Sequence, residues 1–483
     1  MGSAVQKTPE NSLTITDNRT GKTLVVPIER NSIPATAFKK LNKAKADGSD
    51  RVEDEVEGGI RVYDPGFMNT ATIQSTITFI DGDKGILRHR GYPIEQLAEK
   101  SSFLETSYLL LYGELPSRDQ YKLFSTEVLH HTFVHRDLEE IVGSFRFDAH
   151  PMSVLTSAFA ALGAYAPEAN PSLAGQKIYT MDTAASLQLM DKQIFRLIGK
   201  SITLAAMAYR MRQGRQFVAP PADLGYAESF LYMMDHLNEP NYRPHPTIAK
   251  ALDTLFLLHA DHEMNASCAA VLQVGSTLVD PYSAISAGCA ALYGPSHGGA
   301  NEAVIRMLVS IGSPENVPAF IEKVKRKEAV LSGFGHRIYR NTDPRSKIIQ
   351  KIAEDVFALT GRDPLLDTAL ALRDAALNDD YFISRKLSGL IYRVLGFPTD
   401  FFPVLFAVPR VVGWLAHWRQ LMLSSKGSVK IWRPRQIYVG EGARAYVGMK
   451  ERATRDAKER GSKPTKVSHP TSTRMFLARE SKL

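Results

Sequence analysis

Residues 401–418 read FFPVLFAVPRVVGWLAHW, and this apolar stretch is the feature of the sequence that best indicates the fold. It invites comparison with a membrane-spanning helix, but Pro403, Pro409 and Arg410 interrupt it, and a guanidinium in the middle of a bilayer is costly. The stretch therefore predicts a helix buried inside a protein that has no membrane span. A buried guanidinium must meet an anion, so we expect Arg410 to face either a fixed carboxylate or a bound one.

Helical periodicity extends from this stretch over most of the chain. From Pro93 onward apolar residues recur at a spacing near that of a helix, and the Ala-rich segments 155–165 and 199–209 continue the pattern. The exception is TITFIDGDKGILRHRG at 76–91, where two alternating runs flank the turn residues 82–85 and predict a β-hairpin. The predicted fold class is therefore all-α, with a short β-hairpin near the N-terminus.

The composition is that of a globular protein. Of the 483 residues, 44% are hydrophobic and 23% are charged, and these shares exclude a disordered, collagen-like or coiled-coil chain. The two cysteines, Cys268 and Cys289, cannot build a disulfide scaffold, which favours a reducing compartment. Because neither a Walker loop nor a dinucleotide-binding fingerprint follows a predicted strand, nucleotide hydrolysis and dinucleotide binding are disfavoured.

The positive charge of the chain is concentrated at its C-terminus. The formal net charge is +8, and residues 449–483 hold ten Lys and Arg against four acids, so ten minus four leaves +6 in this tail. We expect no nucleic-acid partner, because the excess is a solvated tail without a recognition motif. The tail ends in Ser481-Lys482-Leu483, the peroxisomal address. We therefore expect peroxisomal localisation and binding by the peroxisomal import receptor.

Three segments rich in histidine and glycine carry the candidate chemistry. They are LLHADHE at 257–263, GPSHGGANE at 294–302 and GFGHRIYR at 333–340. In the first segment, His259 and His262 close an apolar helix. They are either a capping and a core histidine or metal ligands that lack a third partner and the usual order of a zinc motif.

The other two segments place a histidine on a glycine-rich turn. His297 precedes a helix start predicted at Asn301 and Glu302, where unpaired N–H groups favour a neutral imidazole and anionic ligands. His336 lies between glycines and a run of basic residues. Arginines follow farther on, and their forked guanidinium groups suit carboxylates. Together these residues predict a small polycarboxylate substrate that is handled by proton transfer and not by a metal.

The motifs resemble those of the citrate synthase family over about residues 60–445. The stretches that carry the resemblance are YDPGFMNTATIQS (63–75), TFIDGDKGILRHRGYPIEQL (78–97), LHADHEMNAS (258–267), GPSHGGANE (294–302), GFGHRIYRNTDPR (333–345), LFAVPRVVGWLAHW (405–418) and RPRQIYVG (433–440). The resemblance implies an all-α homodimer with a large domain, a smaller mobile domain and a short N-terminal β-hairpin. The bounds it implies are a polar arm at 1–58, a large domain at 59–298 and 396–448, a small domain at 299–395 and a basic tail at 449–483.

The resemblance also implies a reaction. An acyl-CoA, in the first place acetyl-CoA, condenses with oxaloacetate to give citrate and free CoA, with the acyl-CoA as a substrate and without a cofactor or a metal. By the same resemblance, His262 binds oxaloacetate, His297 holds the thioester oxygen and stabilises the enol, and His336 acts as general acid on the ketone oxygen.

Four arginines take substrate-binding roles by resemblance. Arg345 and Arg410 would bind the carboxylates of the substrate. Arg433 would reach into the active site of the other subunit, which makes the site shared. Arg340 would bind a phosphate of CoA.

One departure from the family pattern bears on activity. The short segment that holds the family's catalytic aspartate is missing between Leu387 and Ser388. Three interpretations stay open: a transcript or gene model that lacks a frame-preserving piece, a real loss that leaves a ligand-binding homologue, or replacement of the base by Asp379 or Asp380. A further alternative is a 2-methylcitrate or alkylcitrate synthase that uses propionyl-CoA or a longer acyl-CoA.

Overall fold

The computed structural model of this chain divides into two compact units. One unit comprises residues 1–70 and 434–483, and the other comprises residues 71–433. The residues that the structure describes are 10–41, 59–332, 343–361, 363–379, 397–424, 428–446 and 448. The expected division into a large and a small domain at residue 299 stays a prediction.

The smaller unit contains a strand pair in the polar arm. Strand β1 (Ser12–Asp17) pairs antiparallel with β2 (Lys22–Pro27), with Ser12 opposite Pro27 and Asp17 opposite Lys22. A 3₁₀ turn follows at Ala35–Lys40. The side chain of Asp17 closes the hairpin, because its carboxylate accepts hydrogen bonds from the backbone and the guanidinium of Arg19 at 2.9–3.0 Å.

The larger unit begins with the predicted hairpin. Strands β3 (Thr78–Asp81), β4 (Ile86–His89) and β5 (Tyr92–Pro93) form an antiparallel sheet in that order, with Thr78 opposite His89. The turn forms where the sequence predicts it, since the Asp81 carboxylate accepts the backbone N–H of Lys84 and Gly85 has a φ of 67°. This sheet buries His89 completely.

The other regular elements described in the larger unit are helices, which confirms the all-α prediction. They are α1 (Ile94–Lys100), α2 (Phe103–Tyr112), α3 (Arg118–His130), α4 (Arg136–Gly143), α5 (Pro151–Leu162), α6 (Pro171–Ala174), α7 (Ala184–Arg212), α8 (Tyr226–Asp235), α9 (Pro246–His259), α10 (Ala266–Gly275), α11 (Pro281–Tyr293), α12 (Ala300–Ile311), α13 (Val317–Lys325), α14 (Arg345–Thr360), α15 (Pro364–Leu377) and α16 (Phe402–Ser424). Side-chain oxygens define many of the starts. Ser117 forms a capping box with Gln120, and Asn265 and Asp280 accept backbone N–H groups of α10 and α11.

Helix α16 lies in the core of the larger unit, as the sequence predicts. It contacts α2, α7, α9, α10 and α11, and Trp414 and Trp418 are among the largest fully buried side chains. By length and composition, the segment Thr399–Ser424 could cross a membrane, but 94% of its most apolar window is buried within the protein. Each large side chain hidden in this way contributes about 1.5–3 kcal/mol of hydrophobic stabilisation.

The packing of α11 on α10 and α16 leaves no room for a side chain at Gly288. A Cβ there would lie 2.6 Å from Cγ2 of Val271 and 3.1 Å from the Trp414 ring. We therefore expect Gly288→Ala to lower the free energy of unfolding by about 1–3 kcal/mol through overpacking. Urea denaturation monitored by circular dichroism measures this change. Gly143→Ala is the matched control, because its Cβ would meet nothing within 4 Å and alanine favours a helix; equal stability of the two variants would contradict the packing account.

Candidate active site

The C-terminus of α9 holds two arginine side chains. The last carbonyls of a helix lack a partner within the helix and form the negative end of its dipole. Arg410 donates from Nε to the carbonyl of His259 at 2.8 Å, and Arg345 donates from a terminal nitrogen to the carbonyl of Leu258 at 3.3 Å. Two guanidinium groups from α14 and α16 therefore meet at one helix end, although 65 residues separate them in the sequence.

Arg410 is 4% exposed, which confirms that the guanidinium in the apolar helix is buried. The sequence predicted an anionic partner for it. The structure shows a neutral partner, the carbonyl at the end of α9, which the sequence does not indicate because it lies 151 residues away. The anionic partner stays a prediction.

Arg345 has an acidic partner beside it in the chain. Its Nε and one terminal nitrogen donate to the two carboxylate oxygens of Asp343 at 3.0 and 2.7 Å, and its backbone N–H donates to the same carboxylate at 2.9 Å. This is the bidentate geometry in which arginine binds any carboxylate. A substrate carboxylate at Arg345 would have to share or replace Asp343, whose role sequence reasoning did not identify.

His297 is held at the N-terminus of α10. The backbone N–H of Ser267 donates to Nε2 of His297 at 3.3 Å, and the Ser267 hydroxyl lies 2.9 Å from the same nitrogen. That hydroxyl donates to Oδ1 of Asn265, the N-cap residue, and accepts from Nε1 of Trp414 at 3.2 Å. In the tautomer whose Nε2 accepts the backbone N–H of Ser267, the neutral ring carries its proton on Nδ1, where it can donate to a ligand oxygen.

The imidazole of His297 is neutral near pH 7. Burial, followed by the positive charge of Arg410, lowers its pKa from 6.5 to about 4. The sequence predicted a neutral imidazole from the helix that follows His297, and α12 does begin at Ala300. The N–H group that His297 contacts belongs to a different helix, however, because Ser267 is in the first turn of α10.

The chain between α9 and α10 carries His262, which is 7% exposed. Helix α9 ends at His259, so His262 lies in the turn and not on the same helical face as His259. His259 is a core residue, with Nδ1 2.7 Å from the Leu255 carbonyl and its ring against Phe406. The interpretation of His259 as a core histidine is therefore confirmed. Within the described part of the chain, no group of three His, Cys, Asp or Glu side chains could hold a metal ion.

Glu302 anchors the start of α12, directly after the loop of His297. His150 caps α5 by accepting the backbone N–H of Met152 at Nδ1, so Nε2 can donate to the Glu302 carboxylate, which lies 3.2 Å away. Arg306 donates to the other oxygen of the same carboxylate. The sequence indicated a helix start here, but it did not indicate His150, which lies 152 residues earlier.

Several predicted residues are not tested by this geometry. His336, Arg340, Asp380, Leu387 and Ser388 lie outside the described residues. Arg433 is exposed, and no hydrogen bond or ion pair joins it to another described residue. Its role in a partner subunit stays a prediction. Asp379, considered as a substitute base, forms an ion pair with Lys325 at 2.6 Å.

Two buried histidines next to this site predict how stability depends on pH. Burial lowers the pKa of His89 from 6.5 to about 4 and that of His259 from 6.5 to about 3. Below pH 6.5 the unfolded chain binds protons that the folded chain does not, so the free energy of unfolding should fall as the pH drops from about 6.5 to about 4. Each residue contributes up to about 1.4 kcal/mol per pH unit in that window.

Urea titrations across this pH range measure the effect. His259→Asn keeps a donor for the Leu255 carbonyl but removes the titrating ring, so its stability should depend less steeply on pH than that of the wild type. The N-cap variant His245→Asn serves as the control, because asparagine also caps helix α9 well. An unchanged slope in His259→Asn would contradict the assignment of this residue.

Comparisons with known proteins identify the family of this chain. The family model described as "Citrate synthase, C-terminal domain" matches residues 66–435. A citrate synthase of Dictyostelium discoideum is 52% identical over 89% of this chain and 82% of its own length. A peroxisomal citrate synthase of the same organism is 51% identical over 90% of this chain and 86% of its own length.

Solved structures also match. The ternary complex of carboxymethyl coenzyme A and oxaloacetate with the citrate synthase of the thermophilic archaeon Thermoplasma acidophilum aligns with a TM-score of 0.71 and 29% identity. The alignment covers 80% of this chain and 98% of that one. Taken with two guanidinium groups at one helix end and a neutral histidine at the start of the next helix, these matches show that the chain belongs to the citrate synthase family.

Proposed function

We propose that this protein condenses acetyl-CoA with oxaloacetate and hydrolyses the resulting thioester to citrate and free CoA. The observation that carries the proposal is the joint position of Arg345 and Arg410 at the end of α9, with neutral His297 at the start of α10. The relatives named citrate synthase support the same reaction.

The arginines supply the dicarboxylate site. Oxaloacetate carries two carboxylates, and each guanidinium can bind one of them through two parallel hydrogen bonds. His262 is the third proposed ligand, from the turn between the two helices. Holding the ketone next to the second substrate replaces an encounter in solution by a fixed geometry, an effect of up to several kcal/mol.

His297 supplies the group that stabilises the enol. Its Nδ1–H would donate to the thioester oxygen while a base removes a proton from the acetyl carbon. The enol carbon then forms a bond to the ketone carbon of oxaloacetate, and His336 gives a proton to the new alkoxide. Water then cleaves the thioester and releases CoA as a thiol. Each positioned proton-transfer group accounts for roughly 10²–10⁴-fold in rate.

Other features of the proposal rest on the family resemblance. They are a homodimer in which Arg433 completes the partner's site, Arg340 as a ligand of the CoA phosphate, and closure of a small domain that excludes water. We place the enzyme in the peroxisome and assign import to the terminal Ser481-Lys482-Leu483. A relative that is named peroxisomal supports the compartment.

The missing aspartate segment favours one second candidate, a homologue that binds oxaloacetate without turnover. The catalytic aspartate expected from the family resemblance has no counterpart between Leu387 and Ser388. A 2-methylcitrate or alkylcitrate synthase differs only in the acyl-CoA it accepts, so it is tested by the same assay with propionyl-CoA and longer chains.

Release of thiol from acetyl-CoA that depends on oxaloacetate is the direct test. We expect the chain with the aspartate segment of a relative inserted between Leu387 and Ser388 to exceed the chain without it by at least 10²-fold, because a general base contributes about that much. Oxaloacetate should bind to both chains. The proposed function is wrong if the restored chain neither turns over nor binds oxaloacetate, and binding without turnover leaves the second candidate.

A substitution of Arg345 tests the dicarboxylate site. Arg345→Gln should weaken oxaloacetate binding about 10- to 100-fold, since a charged hydrogen bond contributes about 1.5–3 kcal/mol. Isothermal titration calorimetry measures the dissociation constant. Arg326→Gln is the matched control, because Arg326 forms an exposed ion pair with Glu328 directly after α13. Equal affinities of the two variants would remove Arg345 from the site.

A further inference from the structure

A buried contact between a carboxylate and a histidine connects the turn after α9 to the core helix α16. Asp261 is 0% exposed, His417 is 1% exposed, and Nε2 of His417 lies 3.4 Å from Oδ2 of Asp261. The proposed reaction assigns no step to either residue. A carboxylate that is completely removed from water is costly unless its partners are fixed, so the pair requires a separate explanation.

One face of α16 contacts each of the residues 259–261, where α9 ends and the turn begins. Arg410 donates to the carbonyl of His259, Gly413 donates its backbone N–H to the carbonyl of Ala260 at 3.1 Å, and His417 pairs with Asp261. The three positions on α16 are spaced by three and four residues, which places them on one side of the helix. Three consecutive residues, from the last residue of α9 into the turn, therefore contact three positions on one face of α16.

The contact at Gly413 is too close for any other residue. A Cβ there would lie 2.4 Å from Oδ1 of Asp261 and 2.5 Å from the carbonyl oxygen of Ala260. The backbones of the turn and of α16 are therefore in direct contact, and the position of Asp261 against the helix has little freedom.

Asp261 also shapes the turn itself. Its Oδ2 accepts the backbone N–H of Glu263 at 3.2 Å, a hydrogen bond that spans His262. Glu263 has a φ of 58°, in the left-handed region, and a side-chain bond of this kind stabilises such a turn. One carboxylate thus closes the turn that carries His262 and ties that turn to the helix that carries Arg410.

The surroundings keep this carboxylate ionised. Burial alone would raise the pKa of Asp261, but the charge and hydrogen bond of His417, with smaller contributions from His89 and Thr78, bring it below its ordinary value. Thr78 Oγ1 lies 2.9 Å from Nδ1 of His89, and both residues come from the β3–β4 hairpin. The β3–β4 hairpin therefore supplies Thr78 and His89 to the polar surroundings of Asp261.

We infer that Asp261 and His417 are positioning residues, which fix His262 and Arg410 relative to each other so that both reach one dicarboxylate. This inference rests on the proposed function, since it concerns the binding of oxaloacetate. The pair touches neither substrate, and it acts by holding the turn against α16.

Two measurements on the full chain test the inference. Hydrogen exchange followed by mass spectrometry reports the protection of the turn without any ligand, and calorimetry gives the dissociation constant of oxaloacetate. For His417→Leu and Asp261→Asn we expect faster exchange in residues 260–265 and at least a tenfold weaker affinity. His417→Gln keeps a donor for Asp261, so it should recover part of the affinity that His417→Leu loses.

Asp253→Asn is the matched control. Asp253 is a partly buried carboxylate on the same helix α9, and it accepts the backbone N–H of Phe103 at the start of α2. This change should leave both the exchange of the turn and the affinity for oxaloacetate unaltered. The double variant Asp261→Asn with His417→Gln, a neutral pair of similar size, replaces Asp261→Asn if that single variant does not fold.

The outcomes separate the two proposals. If the wild type binds oxaloacetate and the variants loosen the turn without losing affinity, the pair is only structural and the inference is wrong. If exchange and affinity both stay at wild-type values, the pair does not hold the turn, and the inference is also wrong. If neither the wild type nor the chain with the restored aspartate segment binds oxaloacetate, the proposed function fails and the positioning role falls with it, while the exchange data still show whether the pair holds the turn.

Discussion

The candidate site depends on one electrostatic constraint, the unsatisfied negative end of α9. Its last carbonyls must find donors outside the helix, and the chain supplies the guanidinium groups of Arg345 and Arg410. Two positive charges so close together repel each other, and the carbonyls and the Asp343 carboxylate offset part of that repulsion. A small dianion could offset the remainder, which is why we propose that oxaloacetate binds here.

Helix α10 begins only a few residues later. Its N-terminus is the positive end of a helix dipole, so it attracts acceptors as the end of α9 attracts donors. The first N–H groups of α10 need acceptors, and Asn265 and the imidazole of His297 satisfy them. A protonated imidazole could not accept such a bond, so the helix start, burial and the charge of Arg410 all favour the neutral form. A short turn therefore separates two guanidinium groups from a neutral imidazole, which is the combination that the proposed enol chemistry requires.

Local signals in the sequence predicted the parts of this arrangement that depend on neighbouring residues. The apolar run around Arg410 predicted a buried helix, and the turn residues 82–85 predicted a hairpin. The contacts that orient His297 join residues distant in sequence, such as Ser267 and Trp414, so no periodic pattern could reveal them. Two signals were nevertheless available: Asn265 stands where an N-cap is expected, and Asp343 stands beside an arginine.

The most direct measurement is a crystal structure of the complete chain with oxaloacetate bound. The account predicts one carboxylate of the dianion on Arg410, the other on Arg345 in place of Asp343, and the ketone on the side that faces His297. A dianion bound elsewhere, with the Arg345–Asp343 pair intact and the end of α9 unoccupied, would contradict the central claim.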